Sequence, residues 1–309
     1  MFARERMRSA IPFSQVLLML LIVGCDNSGR TSHPNQAMKD AKPELEAWNR
    51  KHFEPGGGDA FLFYVVYGSV DTGAPLSRSK YRSDGLPHGL EVMAYGPNSN
   101  PEVPASFREG YLWEQLRAAN PELADTIAAQ DSCVVLRGTF PDPENLNYLR
   151  DTVGLITHFL DNGGVGVYDP QMFEWWSRDR WRERIFDPAG PVPRDHSVIL
   201  VSEDSGGTQW LHTRGLRKFG RPDLSVPQVP ESQKDAFVDL CNRFIELQAF
   251  GGIIAEGQEI RMRALPKGLT CHHAGDLDDP DFNNVHVRIA QTKGEQDGAG
   301  QPATRSESE

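Results

Sequence analysis

Short apolar runs alternate along the chain with polar breaks marked by glycine or proline, and the period of each run predicts its element. Ala60 to Val70 (AFLFYVVYGSV) is apolar on both faces, the pattern of a strand buried on both sides. Leu90 to Tyr95, Cys133 to Phe140 and Val165 to Tyr168 read as further strands. Between the last two, Leu146, Leu149, Val153, Ile156 and Leu160 form one helical stripe that stops at Asn162-Gly163-Gly164. Asp142-Pro143-Glu144 predicts the start of that helix, a capping side chain and then proline, so this stretch reads as one βαβ-like unit. Ser106 to Ala119 and Pro121 to Gln130 are expected helices, and Glu44 to Phe53 a short one. Asp169-Pro170 predicts another helical stretch carrying Phe173, Trp175 and Trp176, followed by Arg178 to Phe186 under a Ser177 cap.

The second half continues in the same style. Ser197 to Ser202 and Thr208 to Thr213, joined through Ser205-Gly206-Gly207, predict a β-hairpin. Gly215 to Gly220 predicts a tight turn or short helix, and Leu224 to Val229 an edge strand, because Pro227 cannot donate to a ladder. Ser232 to Phe250 is the last long helix, with Phe237, Leu240, Cys241, Phe244, Ile245 and Gln248 on its inner face. Glu259 to Ala264 and Val285 to Gln291 close the series as strands. The expected fold class is α+β, with mixed sheet or sheets and helices packed mainly on one side. The body would run over 44–291, as one continuous sheet or as two related halves, 44–195 and 196–291. Residues 292–309 are polar and predict a disordered tail.

The apolar run nearest the start has a different meaning. Arg4, Arg6 and Arg8 precede a run from Ile11 to Val23, too short to span a bilayer, which needs ~20 apolar residues. That is the layout of a signal peptide. Its end, Leu21-Ile22-Val23-Gly24-Cys25, resembles the lipobox of bacterial lipoproteins. The resemblance implies cleavage after Gly24, so that 1–24 is a leader, and lipidation of Cys25, with 25–43 as a polar tether. Two or more acyl chains anchor stably where one does not. The implied location is the bacterial cell envelope, exported and lipid-anchored. Asp26 follows the cysteine, a residue that in enteric lipoproteins goes with retention at the inner membrane; the source of the chain being open, so is the choice of membrane.

Charge narrows the partners. The 309-residue chain carries a formal charge of −11, and loss of the leader with its three arginines and one glutamate makes it more negative still. Such a body is repelled by nucleic acid and by anionic lipid, so a lipid, not electrostatics, would hold it at a membrane. Besides Cys25 there are three cysteines, Cys133, Cys241 and Cys271, which is not a disulfide framework. Cys133 and Cys241 lie in apolar runs and are expected as small buried hydrophobes.

Two segments carry candidate chemistry. In WLHTRGLRKFGRPDL, His212, Arg214, Arg217, Lys218 and Arg221 crowd together between turn-forming glycines. Guanidinium forks and exposed N–H groups suit a carboxylate or phosphate; equally, these cations can pair with acids inside the fold. Cys271-His272-His273 followed by Asp276 offers metal ligands, with His272, His273 and Asp276 as the candidate set, though the spacing matches no closed zinc site or EF-hand loop. The chain has no GxSxG, HExxH or GxxxxGK[ST] motif. From about Ser132 to Arg288 the body also resembles bacterial proteins of unknown activity that share phrases such as HTRGLRKFGRPDL and LDNGGVGVYDP, a resemblance that implies no reaction. The expectation is a lipid-anchored envelope protein that binds or scaffolds, its partner an envelope protein or a small anionic ligand, with no resident cofactor. The alternative is a lipid-anchored, metal-assisted hydrolase built on His272, His273 and Asp276.

Overall fold

Two sheets organise the chain, as seen in a computed structural model that describes residues 44–279 and 281–291. The expected leader, Cys25, the expected tether and the expected tail lie outside the described residues. The chain divides into two units, Met1–Glu44 and Leu45–Glu309, and every strand and helix described belongs to the second. The fold is α+β. Among the described residues no helix is long and apolar enough to cross a membrane.

The first sheet is antiparallel and has the order β2-β3-β1-β4-β5, with β1 Ala60–Gly68, β2 Leu90–Tyr95, β3 Cys133–Phe140, β4 Gly164–Asp169 and β5 Glu174–Ser177. β1 sits at the centre, which its two-faced apolar pattern demands. Leu62, Tyr64 and Val66 point into one cluster and Val65 and Tyr67 into another. The expectation of helices mainly on one side is therefore corrected for this sheet, because a strand apolar on both faces needs cover on both. α3 (Tyr111–Ala119) and α4 (Pro121–Ala128) supply Trp113, Leu116, Leu123 and Ile127 to one face. α5 (Asn147–Asp161) covers the other with Leu149, Val153, Ile156 and Leu160, each apolar side chain worth ~1.5–3 kcal/mol on burial. β3 and β4 flank β1 and run parallel to each other, so β3-α5-β4 is a βαβ unit split by a central strand.

The second sheet has the order β6-β7-β8-β11-β10-β9, with β6 Val198–Glu203, β7 Gln209–Arg214, β8 Asp223–Val229, β9 Glu259–Ile260, β10 Leu269–Ala274 and β11 His286–Gln291. Only β8 and β11 pair in parallel. α7 (Lys234–Ala249) lays Phe237, Leu240, Phe244 and Ile245 in the same core cluster as Leu211, Leu224 and Val226. The two sheets differ in strand order and in parallel content, so their topologies do not repeat each other.

Several expected elements are corrected. Residues 44–53 form no helix: Trp48 receives Leu146 N–H on its carbonyl at 2.7 Å, and Asn49 bridges Asn145, which commits the backbone elsewhere. Asp142 caps no helix, for its Oδ2 accepts from Gly56 N (2.9 Å) and Gly57 N (3.1 Å), and α5 begins later, at Asn147. The stretch after Asp169 is a turn and then β5, not a helix: Asp169 Oδ1 accepts from Gln171 N at 3.1 Å, and Phe173 takes a left-handed φ of 59°. Trp175 and Trp176 consequently point to opposite faces, Trp175 stacked on Tyr168 at 4.0 Å and Trp176 edge-on to Trp181 at 6.2 Å. β8 is an interior strand. Pro227 is tolerated because β11 pairs only with Asp223 to Ser225, and the register against β7 slips beyond Leu211. Glu259 to Ala264 shrinks to the two residues of β9, while β10 arises where the sequence suggested a metal-ligand cluster.

Candidate functional site

The two sheets meet around a cleft of about 460 Å³, within the range that holds small-molecule ligands. Phe61 and Phe63 of β1, Tyr168 of β4 and Phe107 line one side; Arg214, Gly215, Arg217 and Asp223, with Phe282 and Asn283, line the other. The turn between β7 and β8 shapes the second side. Gly215 (φ 104°) and Gly220 (φ 62°) both take left-handed backbone, with a short 3₁₀ turn, Leu216–Phe219, between them. A side chain at Gly220 would place its Cβ 2.2 Å from the Gly58 carbonyl, so the turn closes only with glycine there. Within it Leu216, Lys218 and Phe219 turn inward, and Arg217 is left half-buried at the cleft.

That turn sorts the five candidate anion-binding residues. Lys218 is fully buried; its Nζ donates to Asp169 Oδ2 and to the His196 carbonyl (3.0 Å) and lies over the Tyr64 ring at 5.4 Å. Burial pushes the Asp169 carboxyl up and the Lys218 ammonium down, and their mutual attraction opposes both shifts. Arg221 is also consumed internally. It donates to Asp142 Oδ1 (2.9 Å) and to the carbonyls of Gly220 (2.9 Å), Gly252 (3.3 Å), Glu54 (3.1 Å) and Gly251 (2.8 Å). Arg221 thus has all five N–H groups bonded, and Lys218, fully buried, is not among the residues that line the cleft. His212 stacks on Trp210 at 4.0 Å and stands edge-on to Phe282 at 5.8 Å, and its buried Nδ1 has no partner among the described residues. Burial, aided by Arg214, lowers His212 to about 4, so the ring is neutral near pH 7.

Arg214 and Arg217 are different. Arg214 is 6% exposed, lies over the Phe173 ring at 4.7 Å and reaches the cleft. Among the described residues its guanidinium has no hydrogen-bond or ion-pair partner. Burial lowers its pKa, opposed by the fields of Asp223, Asp281 and Asp279. Arg217 lies over Phe61 at 4.7 Å and donates through Nη1 to the Asn283 carbonyl at 2.8 Å, while its buried Nε has no partner among the described residues. The buried Arg217 Nε is a donor without an acceptor, which is costly, and Arg214 faces the cleft with no acceptor among the described residues; an anion there would supply one.

Asp223 completes the floor. It is 1% exposed and accepts from Thr213 Oγ1 (2.9 Å), Leu216 N (3.3 Å) and Asn284 Nδ2 (2.8 Å). Burial raises it to about 6 despite those bonds. The phrase RPDL contains it, but an acid next to a proline reads as turn chemistry, so nothing in the residue pattern singles it out. Phe61 and Phe63 likewise read as core.

The metal candidates lie apart from one another in function. His272 and His273 are consecutive on β10 and so project to opposite faces. His272 Nδ1 contacts Glu256 Oε1 at 2.7 Å, and His273 Nε2 contacts the Ile254 carbonyl at 2.7 Å. Asp276 accepts from Asp278 N at 2.9 Å. Among the described residues no three His, Cys, Asp or Glu side chains gather as a ligand group. Cys133, Cys241 and Cys271 are buried free thiols, and burial raises them to about 11, 12 and 11 respectively.

No family model, curated protein or solved structure matches the chain.

Proposed function

We propose that the protein is a binding module for a small anionic ligand, exported to the cell envelope and held there by lipid on Cys25. The observation that carries the binding half is the buried Arg214 guanidinium, which opens on a ligand-sized cleft without an acceptor of its own. A folded chain keeps such a charge at a cost, and the cost is recovered when a carboxylate or phosphate accepts its N–H fork. The anchoring half is supported by the basic stretch, the short apolar run and Leu21-Ile22-Val23-Gly24-Cys25.

Each half has its own test. The purified full chain is melted with small carboxylates and phosphates and with their neutral amide and alcohol analogues. Anions at ~100 times Kd should stabilise by about 2.7 kcal/mol, a rise of a few degrees. Arg214→Met should abolish that rise; anions acting no better than the neutral analogues would refute the site. For the anchor, cells are labelled with a radioactive fatty acid. Label should enter the wild type and not Cys25→Ser, and equal label in both would remove the anchor.

A further inference from the structure

We propose that the ligand of this cleft is an aromatic monocarboxylate: one carboxylate on a flat, ring-sized apolar body, as in an arylacetate. The proposal rests on the reading of the cleft as an anion site and adds what kind of anion it takes.

Three observations select this class. The first is the donor count. Arg217 has already given one terminal nitrogen to Asn283, and Lys218 and Arg221 are occupied inside the fold, which leaves Arg214 as the guanidinium without an acceptor among the described residues. The Arg214 fork matches the two oxygens of one carboxylate, and what sets the number of negative charges is the balance of the lining. The Arg214 guanidinium lies over the Phe173 ring at 4.7 Å, an apolar contact that takes none of its N–H donors from a planar bidentate pair.

The second is charge. Arg214 and Arg217 bring two positive charges to the lining, and Asp223 and Glu109 bring two carboxyl groups against them. Asp279 and Asp281 add to the negative field at Arg214. A dianion would meet a lining already close to neutral, while a monoanion costs little more than the desolvation of a single carboxylate.

The third is the wall. Phe61, Phe63, Phe107, Tyr168 and Phe282 line the same cleft as the guanidinium. Phe63 and Phe107 stand edge-to-face at 6.0 Å, and Phe107 is tilted against Tyr168 at 6.5 Å. Rings set at angles around an open space accept a further ring edge-on or offset, the preferred aromatic arrangements. A bare acetate would leave those rings facing water.

Isothermal titration calorimetry on the full chain distinguishes the outcomes, with phenylacetate, indole-3-acetate, phenylacetamide, acetate and inorganic phosphate as probes. The two arylacetates should bind about tenfold or more tighter than acetate or phosphate, with phenylacetamide silent up to about 5 mM. Arg214→Lys keeps the charge but not the fork and should weaken the arylacetates about tenfold. Phe107→Leu, a half-buried position outside the strands, should narrow the gap between phenylacetate and acetate; an unchanged melting temperature shows that both variants fold. Phosphate or acetate binding through Arg214 while arylacetates are silent would overturn the aromatic assignment and leave the anion site standing. Equal binding of phenylacetate and phenylacetamide, or silence from all five probes, would overturn both.

Discussion

Replacement of Lys218 by methionine separates a structural cation from a ligand-binding one. The Lys218 ammonium joins β4 to the turn between β7 and β8 through Asp169 and the His196 carbonyl, and neither charged side chain is more than 2% exposed. Methionine fills most of the same volume, so packing changes little. The main loss is the counter-charge. Asp169 would keep the Gln171 N–H but lose its cation, and a buried pair deprived of one partner costs ~3–5 kcal/mol. Urea unfolding followed by tryptophan fluorescence should show that deficit at pH 7. Asp169 is already pushed upward by burial and would rise further without Lys218. A carboxyl raised in the folded state binds protons there before the unfolded chain does, so the deficit should shrink as the pH falls below that raised value. Addition of Asp169→Asn to Lys218→Met should likewise restore much of the loss. A deficit below ~1 kcal/mol that ignores pH would refute the reasoning, as would normal stability combined with lost anion binding.

Two further predictions follow from buried groups. His196, held at about 3 by burial and by Lys218, and His212, held at about 4, both stay neutral in the fold while the unfolded chain protonates near 6.5. Their stabilisation is complete above pH 6.5 and is lost as the pH falls toward 3–4, on the order of 5 kcal/mol for His196, with Asp223, raised to about 6, offsetting part of it below pH 6. The urea midpoint should therefore fall most steeply between pH 6.5 and 4, and a flat profile there would contradict the burial of the two rings. Gly220→Ala combines a φ of 62° with a Cβ 2.2 Å from the Gly58 carbonyl, so it should cost at least ~2 kcal/mol in the same assay, and a neutral effect would mean that the turn is loosely held.

Elements whose apolar period is fixed by their own residues were legible in the sequence. Cys133–Phe140, the stripe of α5, the β6–β7 hairpin and α7 all appear where their periods placed them. Elements decided by a distant partner were not. Asp142-Pro143 has the chemistry of a helix start, yet its carboxylate goes to Gly56, Gly57 and Arg221. Phe173, Trp175 and Trp176 suit a helix or a strand, and pairing with β4 settles the choice. Pro227 argued for an edge, but a proline beyond the reach of one neighbour and at a register slip against the other takes no bond from the ladder.

The site sets a sharper limit. Arg217 and Lys218 are adjacent basic residues on one turn, and composition cannot say which of them faces a ligand. Successive positions of a 3₁₀ turn point roughly 120° apart, so one turns inward when the other turns out. The choice falls to whichever has an acceptor inside, and for Lys218 that acceptor is Asp169, at the end of a strand in the other sheet. Arg214 and Arg221 divide by the same rule: the carbonyls of Glu54, Gly251 and Gly252 converge on Arg221, and no described acceptor converges on Arg214. The cation that the fold leaves unpaired is thus identified by what the rest of the chain withholds from it. That is information about tertiary structure, and the basic cluster read as sequence contains the candidates but not the selection.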